Sequence, residues 1–417
     1  MSQPATAALG LETEVVRDAR AFGLLAQEWD RLYGSAPRAT PFQTHAWLVA
    51  WWRAYGEPGR LRVVLVRSQG RLVAAAPLHL VNRGPVRVLA PLGGAISDFT
   101  DVLVEEARGR DEASAYLSGL VDALDAVAGW DVLDLPEVRG GAAAELLAGL
   151  WPGRVRRQES SACMELPVTD FSELLLTLPT KRAREVRRVL RRSDELGLVV
   201  ADVPSPEVAE AVPRLLQLHA LQWEGRGGNP EHQRPRFAQH LAEALTVMVD
   251  QGQAAVVRYQ LDGQELAGQV VLVGHDLIGG YLLGVAPELY RRMDFSTYVV
   301  RADLERARGR GCSTYSMLRG RESYKERWHA VAAVNSRLLL VRPSAPRGLA
   351  YALGVRSRAR LVVAAGEHAP WLVEARQRYR RRAADRASGR GGPGPGTSGS
   401  GTPGSVLAAG VDGPRPP

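Results

Sequence analysis

A helix that feeds a hairpin occurs twice in this chain, and that recurrence limits the available folds more than any other feature. Phe42-Gln43…Trp47…Trp51 is followed by VVLVRSQGRLVAAAPL, and Phe237-Ala238…Leu241…Leu245 by AVVRYQLDGQELAGQVVL. The copies lie about 195 residues apart, far longer than a solenoid repeat. They match in pattern rather than identity. The reading is two copies of one α/β unit.

The second copy has the more complete setting. Three apolar strand-like runs, QAAVVRYQ, QELAGQVVLVG and LIGGYLLGV, are punctuated by Asp262-Gly263 and Gly274-His275-Asp276, as in tight antiparallel hairpins. A polar loop, APELYRRMD, is expected next, then a helix from about Ser296 to Arg308 and a strand, STYSML. The last piece is RGRESYKERWH. Earlier in the chain, one helix is expected over Ala19–Tyr33. A second, HAWLVAWWRAYG, is closed by Gly56, its tryptophans facing a core. The second half is expected to open near Pro167. The predicted organisation is a first α/β domain over 1–166 and a second over 167–345. A basic helical extension over 346–387 and a disordered Gly-, Pro- and Ser-rich tail over 388–417 follow.

Length agrees with this division, since single cores stop growing well before 417 residues. No apolar run reaches the roughly 20 residues that cross a bilayer. The N-terminus lacks the basic and apolar regions of a secretory signal. The two cysteines, Cys163 and Cys312, fit no metal spacing. A cytoplasmic protein with reduced thiols and no membrane span is expected. The formal charge is +8, yet all but two of the 53 basic residues are arginines spread along the chain. The lysines are Lys181 and Lys325. Against such a bias, a lysine marks a position that wants a compact ammonium.

Absent motifs narrow the chemistry. There is no P-loop, no H-E-x-x-H, no C-x-x-C and no G-x-S-x-G elbow. The eight histidines have no metal spacing, so no metal is expected. His219 and Trp223 share a helix face at i and i+4. TKRAREVRRVLRRSDELG reads as a helix with a dense basic face, either a solvated surface or an anion site.

Three stretches then bring a family into view. They are Phe42-Gln43-x-x-x-Trp47, Leu218-His219-x-x-x-Trp223, and Tyr281-Leu282-Leu283-Gly284…Pro287…Tyr290 leading to Leu318-Arg319-Gly320-x-Glu322-x-Tyr324-Lys325-x-x-Trp328. Together they resemble the BioF2-like acetyltransferases of the GNAT superfamily, found in bacterial exopolysaccharide and cellulose operons. These are related in fold to the FemABX peptidyltransferases. The resemblance covers roughly residues 12–342. It implies an α/β (α+β) fold of two tandem GNAT-like domains, each a mixed, largely antiparallel sheet flanked by helices.

The resemblance also implies transfer of an acyl group, usually acetyl from acetyl-CoA, to an amine of a small molecule or an amino-sugar or cell-envelope precursor. The pantetheine arm would lie along an exposed strand edge, nearest Leu283, Gly284 and Val285. Its pyrophosphate would meet Arg291, Arg292, Ser296 and Thr297 at a helix start. The family usually has a Ser-Pro-Gly-like stretch there. This chain has Asp294-Phe295-Ser296-Thr297, which gives weight to another donor. Candidate acid–base groups are His219, Glu224, Asp294 and Tyr324, with Lys325 as a donor to the oxyanion. Trp223, Arg319 and Tyr281 are candidate substrate contacts. Two other readings stand beside this one. One is a FemABX-like aminoacyl transfer from tRNA, with backbone contacts along Lys181–Arg192. The other is a non-catalytic GNAT-like binding protein in polysaccharide biosynthesis.

Overall fold

The computed structural model describes residues 10–355, apart from 108, 226–227 and 321–322 and the side chains of Arg110, Ser323 and Tyr324. The readings for the tail, and for the basic extension past 355, lie outside the described residues. The first half runs β1 (Leu11–Val16), α1 (Ala19–Gly23), α2 (Ala26–Gly34), α3 (His45–Tyr55), β2 (Leu61–Ser68), β3 (Arg71–Arg83), β4 (Val86–Pro91), β5 (Leu103–Val104), α4 (Arg110–Ala126), β6 (Val132–Val138), α5 (Ala143–Leu150) and β7 (Arg154–Pro167). Then come α6 (Phe171–Thr177), α7 (Thr180–Glu195), β8 (Val199–Asp202), α8 (Val208–Gln222), α9 (Pro235–Asp250), β9 (Ala254–Leu261), β10 (Gln264–Val273) and β11 (Leu277–Val285). The second half ends with α10 (Pro287–Arg292), α11 (Phe295–Gly309), β12 (Thr314–Arg319), α12 (Ser323–Glu326) and β13 (Val331–Val341).

Three expectations need correction. The Ala19–Tyr33 helix is two helices, broken where the Leu24 and Leu25 amides bond back to Arg20, Ala21 and Phe22. APELYRRMD is not a loop, because Pro287 stands at the first position of α10, where its missing N–H costs nothing. β7 was not foreseen at all. Its first half is mostly exposed, so it lacks the apolar alternation that marks a strand.

The strands form one 13-stranded sheet in the order β1-β2-β3-β4-β6-β13-β7-β12-β11-β10-β9-β8, with β5 against β3. Read inward from either edge, the order is the same. Two edge-to-centre runs meet at the β13–β7 pair, each closed by the last strand of the other half. Two pairings are parallel, β4 with β6 and β11 with β12, and they occupy equivalent places. The likeness extends to a defect. On β6, Leu135 to Val138 spans three steps against two on β13, and on β12 Ser316 to Arg319 spans three against two on β7. The extra residue makes a bulge, and each bulge holds a non-glycine residue in the left-handed region, Glu137 at φ 55 and Leu318 at φ 54.

On one sheet face α1–α3 and α8–α9 share a single core that spans both halves. On the other face α4 and α5 cover the first half, and α6, α7, α10 and α11 cover the second. The equivalent helices α3 and α9 pack together. There the rings of Trp47 and His240 meet nearly at right angles, 4.4 Å between centroids. His240 is fully buried, and that burial lowers its pKa to about 3. Below about pH 6.5 the unfolded chain binds a proton that the folded chain refuses, so this group's contribution to stability falls by about 1.4 kcal/mol per pH unit on acidification. The stability of His240→Leu relative to wild type is therefore expected to rise between pH 6 and pH 4. Urea unfolding at both pH values checks this, and a difference that does not change with pH refutes it.

Candidate active site

The two parallel pairings mark two gaps. β11 pairs with β12 only from Leu277 to Gly279, and β4 with β6 only at Val88 and Leu89. Beyond those points the strands part.

The first-half gap is filled by its own chain. Residues 97–101 are buried and held from several directions. Thr100 N–H donates to the Glu137 carbonyl at 2.9 Å, taking the main chain of β6 at its bulge. The Gln43 amide donates to Phe99 O at 3.2 Å, Trp47 Nε1 to Ser97 Oγ at 2.9 Å and Asn335 Nδ2 to Asp98 O at 3.2 Å. Asp101 accepts from the Val102, Ala143 and Ala144 amides at the start of α5. Burial nonetheless raises its pKa to about 7.

Among the described residues, no comparable segment bonds by its main chain to β11 past Gly279, although Val285 there is buried. Ala286 N–H donates to Leu266 O at 2.8 Å, so the main chain of alternate residues Leu282 and Gly284 also faces β10. The amides and carbonyls of Leu283 and Val285 face the other way, into the gap. Among the described residues, Leu283 N–H and both polar groups of Val285 have no main-chain partner there. β11 also bulges, with Tyr281 as its extra residue opposite Val270 and Val271. Gly284 lets α8 lie close. A Cβ there would sit 2.6 Å from both the Leu215 carbonyl and the His219 amide.

Side chains converge on this edge. His219 Nδ1 donates to Leu283 O at 2.7 Å, and its Nε2 meets His232 Nδ1 at 3.0 Å. Burial lowers the pKa of His219, and burial, then His219, lowers that of His232 to about 4. Both rings are neutral at pH 7. Tyr281 donates its hydroxyl to Ile96 O at 2.8 Å, and burial followed by the charge of Asp98 keeps it protonated. Arg319, at the end of β12, forms an ion pair with buried Asp98, and its Nη2 donates to Ala95 O at 2.8 Å. Lys325 is buried and donates to the Arg319 carbonyl at 3.0 Å, with Leu318 O and Gly320 O each at 3.5 Å. It thereby braces the turn that leaves β12.

Residues 180–326 match the family model for an acetyltransferase (GNAT) domain. The chain carries a GNAT domain. The fold is similar to that of FemX, at 13% identity over 79% of this chain and 98% of that one, with a TM-score of 0.57. It is also similar to a conserved protein of unknown function from Bacteroides thetaiotaomicron VPI-5482, at 12% identity over 79% and 100% of the two chains, TM-score 0.51. No curated protein matches. The gap beside β11 lies within the stretch that matches the GNAT domain. That match supports an acyltransferase, and no helix among the described residues is long and apolar enough to cross a membrane.

The other predicted site residues of the GNAT domain lie less close together. Trp223 caps α8 and packs near His219, with ring centroids 6.2 Å apart. Glu224 is exposed. The backbone of Tyr324 belongs to α12, but its side chain is outside the described residues. Asp294 takes the α11 N-terminus: it accepts the Thr297 amide at 3.3 Å and the hydroxyls of Ser296 and Thr297 at 2.6 and 2.9 Å. Burial would raise its pKa, but those donors hold it below its usual range, so it is charged. Arg292 pairs with Asp262 at 2.8 Å, and Arg291 is exposed. The helix start expected to receive pyrophosphate thus already has a carboxylate. Beside α7 lies an open groove of about 380 Å³, lined by Pro179, Arg182, Glu185, Glu326, Arg327 and His329. His232 went unrecognised in the sequence as a partner of His219. Its only sequence signal is its place in the turn Asn229-Pro230-Glu231-His232 between α8 and α9.

Proposed function

We propose that this protein is an N-acyltransferase that moves an acyl group from a carrier to the amine of a small molecule or an amino-sugar precursor. The observation that carries this is the edge of β11 past Gly279, where among the described residues Leu283 N–H and both main-chain groups of buried Val285 have no main-chain partner. A pantetheine arm carries amides of matching chemistry, and a strand edge binds such a chain by main-chain hydrogen bonds. The filled gap in the first half favours a single donor site per chain. Acetyl-CoA is the first donor to test.

A second reading has specific support. Asp294 sets a negative charge where a pyrophosphate would sit. On α7, Lys181, Arg184, Arg187, Arg188, Arg191 and Arg192 are exposed, and none is in an ion pair among the described residues. Both features suit an aminoacyl-tRNA donor, whose many phosphates would meet the α7 face. Calorimetry separates the two readings. Saturable binding of one acetyl-CoA per chain, weakened about ten-fold or more in Arg291→Ala/Arg292→Ala, supports CoA with its phosphates at α10–α11. Absence of acetyl-CoA binding, together with tRNA binding that falls steeply with salt and is lost when the α7 cations become glutamates, supports the aminoacyl donor. Binding of neither refutes the proposal.

A further inference from the structure

The hydrogen bonds of His219 and His232 leave one arrangement of protons. Leu283 O only accepts, so His219 Nδ1 carries hydrogen. His219 Nε2 is then a lone pair, and His232 Nδ1 must donate to it across 3.0 Å. Asn229 accepts the Glu231 amide through Oδ1 at 3.0 Å, so its Nδ2 is a donor, 3.3 Å from His232 Nε2. The remaining basic lone pair of the pair of rings is His232 Nε2, held only by that long contact in a half-exposed setting. The ring is clamped flat on Phe237 at 4.6 Å and 16°.

The location suits a role in proton transfer. Side chains of Leu283 and Val285 point toward the α7 and α11 face, and Leu282 and Gly284 toward α8. The histidines therefore stand on the opposite face of the gap from the α7 groove. A donor whose charged end lay along α7 would leave that opposite face, with its histidines, to the acceptor.

We propose that His232 is the catalytic base for the acceptor amine, and that His219 is a positioning residue that fixes its tautomer. This rests on the transferase reading above. The amine nitrogen attacks the acyl carbonyl carbon and the C–N bond forms. The nitrogen's proton passes to His232 Nε2, and the bond from the acyl carbon to the carrier breaks with its electron pair on the carrier's sulfur or oxygen. His232 then returns the proton to that leaving atom or to water. His219 does for His232 what the orienting member does in any nucleophile–base–orienter array, and the Leu283 carbonyl in turn orients His219. The charged groups facing the ring are Arg319 from β12, which disfavours its protonation, and Glu231 from its own turn, which favours it and is paired with Arg236; His219 faces it from α8.

The test uses the full chain with acetyl-CoA and alanyl-tRNA as donors, and glucosamine and hydroxylamine as acceptors. His232→Gln is expected to lower kcat for glucosamine at least about 100-fold, with donor affinity unchanged. It should remove the part of the acid limb of the pH–rate profile that does not come from the acceptor's own ammonium. Hydroxylamine, uncharged at pH 7, should lose far less. His219→Gln should move that limb rather than erase it. Wild-type kcat in His232→Gln overturns the proposal, and so does a loss that appears as weaker donor binding with the acid limb intact. If the wild-type chain turns over neither donor, the transferase reading falls and this proposal with it, a result separate from any variant.

Discussion

Gly284→Ala should cost this protein both stability and turnover. The new methyl group would lie 2.6 Å from the Leu215 carbonyl and the His219 amide, and 3.0 Å from Leu218 Cβ. The first two are main-chain atoms of α8, so relief requires the helix to lift off β11. Overpacking of this kind costs about 1–3 kcal/mol. The functional loss should be larger. Lifting α8 draws His219 Nδ1 away from Leu283 O, now at 2.7 Å, and reshapes the mouth of the gap. A shift of about 1 Å at a reacting centre is worth about 100-fold in rate. Gly279→Ala is the fitting comparison, because the atoms nearest its new methyl belong to the flexible Leu318 side chain, at 3.1 Å, and not to main chain. Thermal unfolding and turnover of both variants check the point. Equal behaviour of the two would show that close seating of α8 on β11 does not matter.

Arg319→Met should be nearly as damaging, for an electrostatic reason. Its partner Asp98 is buried in the segment that fills the first-half gap, so the pair joins the two halves. Removing the guanidinium leaves a buried carboxylate unpaired, which costs about 3–5 kcal/mol. It also frees the end of β12 at the mouth of the second gap. Asp98→Asn combined with Arg319→Met removes both charges and should recover more than half of that loss. Chemical denaturation of the two single variants and the double variant measures the coupling. Strictly additive losses would mean that the ion pair does not hold the halves together.

Much of the second half could be read directly. Asp262-Gly263 announced a tight hairpin, and both residues take positive φ there, 54 and 77. A two-residue turn with that twist suits the strands it joins. Gly56 closes α3 as expected, and Trp47, Trp51 and Trp52 are buried. The reading of Lys325 as a residue chosen for its compact ammonium has a structural counterpart, since three carbonyls crowd around one nitrogen. The placing of those carbonyls depends on the left-handed turn at Leu318 and Gly320.

The strand edge at Leu283 to Val285 was foreseen because a meander, a helix and a following strand are local patterns, each written in side-chain period and turn residues. Which gap is open was not foreseeable. That depends on where residues 97–101 lie, and their contacts come from Gln43, Trp47, Glu137 and Asn335. β7 escaped notice for a related reason. A strand whose outer half faces solvent is specified by its neighbours β13 and β12, which follow it by more than a hundred residues. His232 carried no pattern of its own and acquires its place only when the α8–α9 turn folds back on His219.

The sequence by itself determined most of the elements and their duplication, because periodicity, turn chemistry and helix ends act within a few residues. Only the tertiary structure decided which parting of the strands residues 97–101 fill, what caps the α11 N-terminus and which two imidazoles meet. Those outcomes rest on hydrogen bonds and ion pairs whose geometry does not exist until distant segments pack.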